Sequence, residues 1–174
     1  MGGRAFALVR AAIVATVFVC LWTWYVPRWM GSSMVPQWNV GAIILMTLGA
    51  AVMIRCVWDF AWTGRGTPAP FDPPRRLVIA GLYRYVRNPM YLGMGMFLIG
   101  EALILQDVRL EMLVLVAFLW LAVSLFIIFY EEPTLQRLFG DDYAEYRRHV
   151  GRWIPRLKPF DKPHSAAVPS PHLD

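Results

Sequence analysis

Charge is what this sequence has least of. Asp, Glu, Lys and Arg make up 17% of its 174 residues, against about 25% in an ordinary soluble domain. That shortage argues against a water-soluble globule of this length. Cysteine is nearly absent too, and Cys20 and Cys56 each fall inside an apolar run. If both runs span a bilayer, the two thiols sit at different depths, about 10–15 Å apart along the normal at the helical rise per residue. That separation argues against a disulfide between them, and both read as small buried apolar residues. No strand shows a sustained alternation, no internal repeat is visible and no metal site is expected. No nucleic-acid module is present, and the basic residues border apolar runs instead.

What the chain has in abundance is hydrocarbon: 57% of residues are hydrophobic and the mean hydropathy is +0.45. The expected fold class is an all-α integral membrane protein, a single domain over residues 1–160. It would have about four transmembrane helices and a C-terminal amphipathic helix lying at the interface. The first span is placed at 5–26, with Arg10 snorkelling to a nearby surface. No small-x-small cleavage pattern follows it, so it reads as a retained helix, and Phe6 stands where a myristoylation signal needs Ser or Thr. Residues 27–37 read as a short turn, with Trp29 and Trp38 suited to an interfacial belt.

The second span is placed at 40–62. Within it Arg55 and Asp59 share one helical face at i and i+4. Two readings stay open for them, a neutralised pair near the surface or the lining of a polar cavity. Residues 63–88 form a long loop whose first half is punctuated by Gly64, Gly66, Pro68, Pro70, Pro73 and Pro74, which excludes a helix there. A third span, 89–105, contains Gly93, Gly95, Gly100 and a lone Glu101, and a fourth runs over 111–130. Glu131-Glu132-Pro133 is expected to end that helix abruptly. The amphipathic helix follows at 134–150, with Leu135, Leu138, Phe139, Tyr143 and Tyr146 as apolar positions and Gly140 as an interruption. Trp153-Ile154-Pro155 reads as interfacial, and residues 161–174 read as a disordered tail.

Lys and Arg counts set the expected orientation. The 63–88 loop carries five, Arg65, Arg75, Arg76, Arg84 and Arg87, and the tail after Tyr130 carries seven. The opposite loops carry only Arg28 and Arg109. By the positive-inside rule, both termini and the long loop are cytoplasmic.

The chemistry converges on Gly81-Leu82-Tyr83-Arg84-Tyr85-Val86-Arg87-Asn88-Pro89-Met90-Tyr91-Leu92-Gly93-Met94-Gly95. It runs from a basic loop into an apolar helix, and charge at that border suggests a polar ligand. Pro89 suits a first helical turn, whose free N–H groups and positive dipole end favour an anion. Gly93 and Gly95 admit either a ligand or a packed neighbouring helix. Glu131 and Glu132 sit at a helix C-terminus, where the dipole disfavours them. They either pair with Arg84 or Arg87 or serve a ligand. A general base, where one is needed, has only weak candidates in Glu101, Asp59 and Arg55.

Residues 64–157 resemble the isoprenylcysteine carboxyl methyltransferase family in its bacterial form, which is similar in turn to phospholipid N-methyltransferases. The resemblance rests on Gly81–Tyr91 with Glu131-Glu132 about forty residues on. It continues through Phe139-Gly140-Asp141-Asp142-Tyr143-Ala144-Glu145-Tyr146 and Trp153-Ile154-Pro155. It implies methyl transfer from S-adenosyl-L-methionine to a lipophilic or membrane-embedded acceptor. It also implies a cofactor site made from Arg76, Leu77, Val78, Tyr83, Arg87, Asn88, Pro89, Met90, Tyr91 and Glu131, with Gly93, Gly95 and Glu132 added by the phospholipid enzymes. Two positions depart from the pattern. Asn88 stands where the family usually has His, and Ile127 stands where the prenylcysteine enzymes have an arginine for the substrate carboxylate. The cofactor half of the resemblance is intact and the acceptor half is not. Membrane sterol reductases, with a nicotinamide cofactor, share a similar motif, and a non-catalytic membrane scaffold is the remaining reading.

Overall fold

A computed structural model describes Val17, residues 20–59 and residues 77–161. Most of the expected first span, the loop residues 60–76 with Arg65, Arg75 and Arg76, and the tail from 162 lie outside the described residues. Among those described, every regular element is helical.

Helix α2, Val40–Asp59, starts where Asn39 Oδ1 accepts the Ala42 N–H at 3.0 Å, a side-chain cap. Its 20 residues reach about 30 Å, the thickness of a bilayer core. Helix α3, Pro89–Ile104, turns back against it. The two backbones meet at Gly49 and Gly93. A Cβ on Gly49 would lie 2.5 Å from the Gly93 carbonyl oxygen, and one on Gly93 would lie 2.8 Å from that of Gly49. Further along, a Cβ on Gly100 would meet Met46 Cγ at 2.5 Å and the Ala42 carbonyl oxygen at 2.8 Å. In a membrane, where apolar burial drives little helix association, such close backbone approach supplies the packing.

Helix α4, Arg109–Phe126, follows a 3₁₀ turn at Gln106–Val108. That end of the bundle is tied by Asp107, whose carboxylate accepts from the Ser33 backbone N–H at 2.7 Å and from both the Ser32 and Ser33 hydroxyls. Of the four expected spans, α2 and the helical run Gln106–His149 are long and apolar enough to cross a membrane. At 16 residues α3 is shorter, and the first expected span lies mostly outside the described residues. Only 17% of each long helix's most apolar window is buried. Ile44, Leu48 and Ile54 on α2, and Val114, Phe118 and Leu121 on α4, are bare. A soluble core helix would bury such a face; these present it outward, as lipid contact requires.

Two boundaries differ from the sequence reading, for one shared reason. The first helix does not turn at Pro27: a π turn, Leu21–Tyr25, passes into helix α1, Val26–Trp29. Nor does Glu131-Glu132-Pro133 end the fourth helix. A π turn, Ile127–Glu131, carries it into helix α5, Glu132–His149. In both cases the residue before the proline donates its N–H five residues back, Val26 to the Leu21 carbonyl and Glu132 to the Ile127 carbonyl. Widening one turn relieves the clash between the proline ring and the preceding turn that makes proline a helix breaker. Helix α5 is kinked at Gly140, whose φ of +51° suits glycine. On it Tyr143 and Tyr146 are buried with Val150 and Phe160, while Leu138, expected on the apolar face, is exposed.

The Gly49–Gly93 contact makes a specific prediction. Gly49→Ala should lower the melting temperature in detergent, corresponding to about 1–3 kcal/mol of overpacking. Gly41→Ala, whose new Cβ would meet nothing closer than Asn39 Oδ1 at 3.4 Å, should leave it nearly unchanged.

Candidate functional site

Three pieces of chain far apart in sequence meet where α3 begins and α4 ends. A 3₁₀ turn, Gly81–Arg84, brings the chain toward α3. Gly81 is required there twice over: its φ is +52°, and a Cβ would lie 2.0 Å from Asp59 Oδ2. The segment after α5 then hydrogen-bonds along this turn. The Arg87 N–H donates to the Gly151 carbonyl at 2.9 Å, Arg156 to Tyr85 at 3.0 Å and Phe160 to Arg84 at 2.9 Å. Tyr146 adds its hydroxyl, donating to the Tyr83 carbonyl at 2.6 Å.

Glu132 is the charged centre of this meeting. Its Oε1 accepts from Arg87 Nη1 at 2.7 Å and from Arg152 Nε at 2.7 Å, and its Oε2 accepts from Arg152 Nη2 at 3.0 Å. Arg87 also reaches the Val150 carbonyl through Nε at 2.9 Å, and Asn88 Nδ2 donates to the Arg152 carbonyl at 3.3 Å. Burial would push the Glu132 carboxyl up, but the Arg152 hydrogen bonds and the charge of Arg87 hold it below the ordinary carboxylate range. A buried carboxylate with two charged donors is the satisfied form of a costly group.

Beside this network lies a pocket of about 70 Å³, lined by Leu77, Val78, Tyr83, Arg87, Asn88, Glu131, Glu132, Leu135, Tyr143 and Tyr146. Glu131 differs from its neighbour. Among the described residues it pairs with no arginine, and its one hydrogen bond there is from the Tyr91 hydroxyl at 3.5 Å, near the outer limit for such a bond. Burial raises the Glu131 carboxyl above its ordinary range; the Tyr91 hydroxyl opposes that rise and Glu132 adds to it. Two adjacent glutamates thus do different things, one closing a structural network and one leaving acceptor capacity on the pocket wall.

The structure brings Leu77, Val78, Tyr83, Arg87, Asn88, Glu131 and Glu132 together around the pocket, and places Tyr91 behind Glu131. Arg76 lies outside the described residues. Pro89 is fully buried at the start of α3, and Met90 packs against Cys56, Val78 and Tyr83. Gly93 faces α2, while a Cβ on Gly95 would meet the Trp120 ring of α4 at 3.1 Å. Both glycines sit at helix contacts, not on the pocket wall. Asp59 is buried and pairs with the more exposed Arg55 at 3.0 Å, the reading in which the two neutralise each other. Neither lines the pocket. Glu101 is buried, its Oε2 without a partner among the described residues, ten residues beyond Tyr91 and so about 15 Å further along α3. Ile127 is fully buried and supplies no cation. Sequence reasoning missed Arg152, whose only signal was one more basic residue in a basic tail. It had Tyr143 and Tyr146 as apolar positions without their place in the pocket.

Comparison with known proteins follows the same residues. The phospholipid methyltransferase family profile matches residues 38–142. Over 81 residues the chain is 37% identical to the protein-S-isoprenylcysteine O-methyltransferase of Schizosaccharomyces pombe, covering 47% of this chain and 34% of that one. The chain thus aligns with about a third of that relative's length. No solved structure matches it.

The Glu132 network predicts an acid-sensitive fold. A carboxyl held low in the folded state stabilises it above the ordinary carboxylate range, and that stability is lost as pH falls through the lowered value. Glu132→Gln should cost about 3 kcal/mol at neutral pH, the scale for breaking a buried ion pair. The variant's melting temperature should also fall less than the wild type's on acidification below about pH 5.

Proposed function

The chain belongs to the phospholipid methyltransferase family, and from that membership we propose that it transfers a methyl group from S-adenosyl-L-methionine to a lipophilic acceptor held in the bilayer. Glu131 is the observation that carries this reading. It is a half-buried carboxylate on the pocket wall that among the described residues pairs with no arginine and keeps acceptor capacity to spare. Such a group accepts hydrogen bonds from ribose hydroxyls or faces a cation. Tyr83 and Tyr143, on the same wall, offer aromatic faces to a base or to a sulfonium. The donor set fits the cofactor. The enclosed volume is smaller than the roughly 300–1,000 Å³ of small-molecule sites, so binding displaces part of the wall. Leu77 and Leu135 are the partly exposed aliphatic side chains of that wall, which no hydrogen bond or ion pair holds.

When bound, S-adenosyl-L-methionine supplies an electrophilic methyl group on a sulfonium. The residues of this chain then act mainly by position. The Arg87–Glu132–Arg152 network fixes the start of α3 against the start of α5, and so fixes Glu131 relative to Tyr83 and Asn88. Holding two reactants in register supplies much of the rate of an in-line displacement. Among the described residues no acid other than Glu131 and Glu132 lines the pocket. This favours an acceptor that reaches the site already nucleophilic, with no proton to give up. Ile127 speaks against a prenylcysteine carboxylate, because that buried position supplies no cation to pair with one. The Lys and Arg distribution supports a pocket on the cytoplasmic side of a multi-pass protein, with the acceptor entering from the lipid.

Calorimetric titration of the purified chain tests the site. Glu131→Ala and Tyr91→Ala should each weaken S-adenosyl-L-methionine binding, the first by about tenfold or more, as for a lost charged hydrogen bond. Unchanged affinity in both variants would remove Glu131 from the site, and binding of NADPH in its place would move the protein to the reductase reading.

A further inference from the structure

The segment from Arg147 to Lys158 contains five Lys or Arg residues and no acid. Of these, Arg147, Arg148 and Lys158 are exposed, and among the described residues Arg148 and Lys158 form no ion pair. Interleaved with them are two bare aliphatic side chains, Ile154 at 80% and Leu157 at 99% exposed. Neither sits on a frayed end. Hydrogen bonds from Arg87 to Gly151, Arg156 to Tyr85 and Phe160 to Arg84 fix the backbone on both sides of them. Between the fixed points Trp153 packs on Trp120 of α4, with ring centroids 4.5 Å apart. Trp120 lies six residues before the end of α4, so Trp153 reaches down the apolar helix from the level of Glu131. A rigid loop of bare aliphatic residues, anchored on a lipid-facing helix and bordered by unpaired cations, matches one surface chemically: hydrocarbon beneath anionic headgroups.

We infer that Arg147–Lys158 is a docking surface for anionic lipid, with Ile154 and Leu157 entering the acyl region and Arg147, Arg148 and Lys158 meeting the headgroups. Arg152, between the two aliphatic residues and the cations, ties this loop to Glu132, so the lipid contact abuts the pocket. The inference requires only that the chain sits in a bilayer, and it stands or falls separately from the methyl donor.

Lipid-borne quenchers test it. The full-length Cys20→Ser, Leu157→Cys chain takes a fluorescent maleimide at position 157, since Cys56 is buried. It is reconstituted in mixed phosphatidylcholine and phosphatidylglycerol vesicles in which one lipid or the other carries brominated acyl chains. Brominated phosphatidylglycerol should quench the label more than brominated phosphatidylcholine at equal mole fraction. The implied preference is about fivefold, the scale of one cation at an anionic surface. Arg148→Glu with Lys158→Glu should bring the two toward parity, and high salt should do the same to the unmutated surface. Equal quenching at low salt would overturn the anionic preference. No quenching by either lipid would overturn insertion of the loop.

Discussion

The bond between Glu132 and its two arginines is the constraint on which the rest of this structure depends. It joins the start of α3 through Arg87, the end of the α4 helical run through Glu132 itself, and the C-terminal segment through Arg152. Each partner is costly to leave alone at this depth, and together they satisfy one another. Removing Glu132 leaves both arginines without their acceptor, and removing either arginine takes one charged donor from the buried carboxylate. Because the three pieces carry the pocket residues, the same bond that holds the fold also holds the site.

Much of the architecture was legible from residue type and spacing. The apolar run at 40–62 became α2, and Pro89, read as a first-turn proline, opens α3. The Arg55–Asp59 pair is visible from its i, i+4 spacing, and Gly140 does interrupt its helix. Pro27 and Pro133 misled, because sequence rules treat an interior proline as a stop. A π turn just before each one lets the helix continue, and nothing in the residues themselves announces a π turn. Gly93 and Gly95 were ambiguous for a different reason. A missing side chain admits a ligand or a helix equally well, and only the position of Gly49 and Trp120 decides between them.

The site was legible in part. Residues near one another in sequence, from Tyr83 to Tyr91, came out together because the turn and the helix start are local. Glu131 and Glu132 were recognisable as out of place at a helix C-terminus, but not as different from each other. Adjacent helical residues point about 100° apart, so Glu132 meets Arg87 and Arg152 while Glu131 meets Tyr91. Which takes which part follows from how α5 leaves the π turn. Arg152 was invisible beforehand because its partner lies across a fold-back that no local pattern encodes.

The proposed donor site turns on one carboxylate, Glu131, which among the described residues pairs with no arginine while its neighbour Glu132 pairs with two. Hydrogen–deuterium exchange on the full chain in nanodiscs, with and without S-adenosyl-L-methionine, tests this most directly. The account predicts slowed exchange at residues 77–91 and 131–135, with the mid-helix contact of Gly49 and Gly93 unchanged. Protection confined to other regions, or none at saturating cofactor, would contradict it.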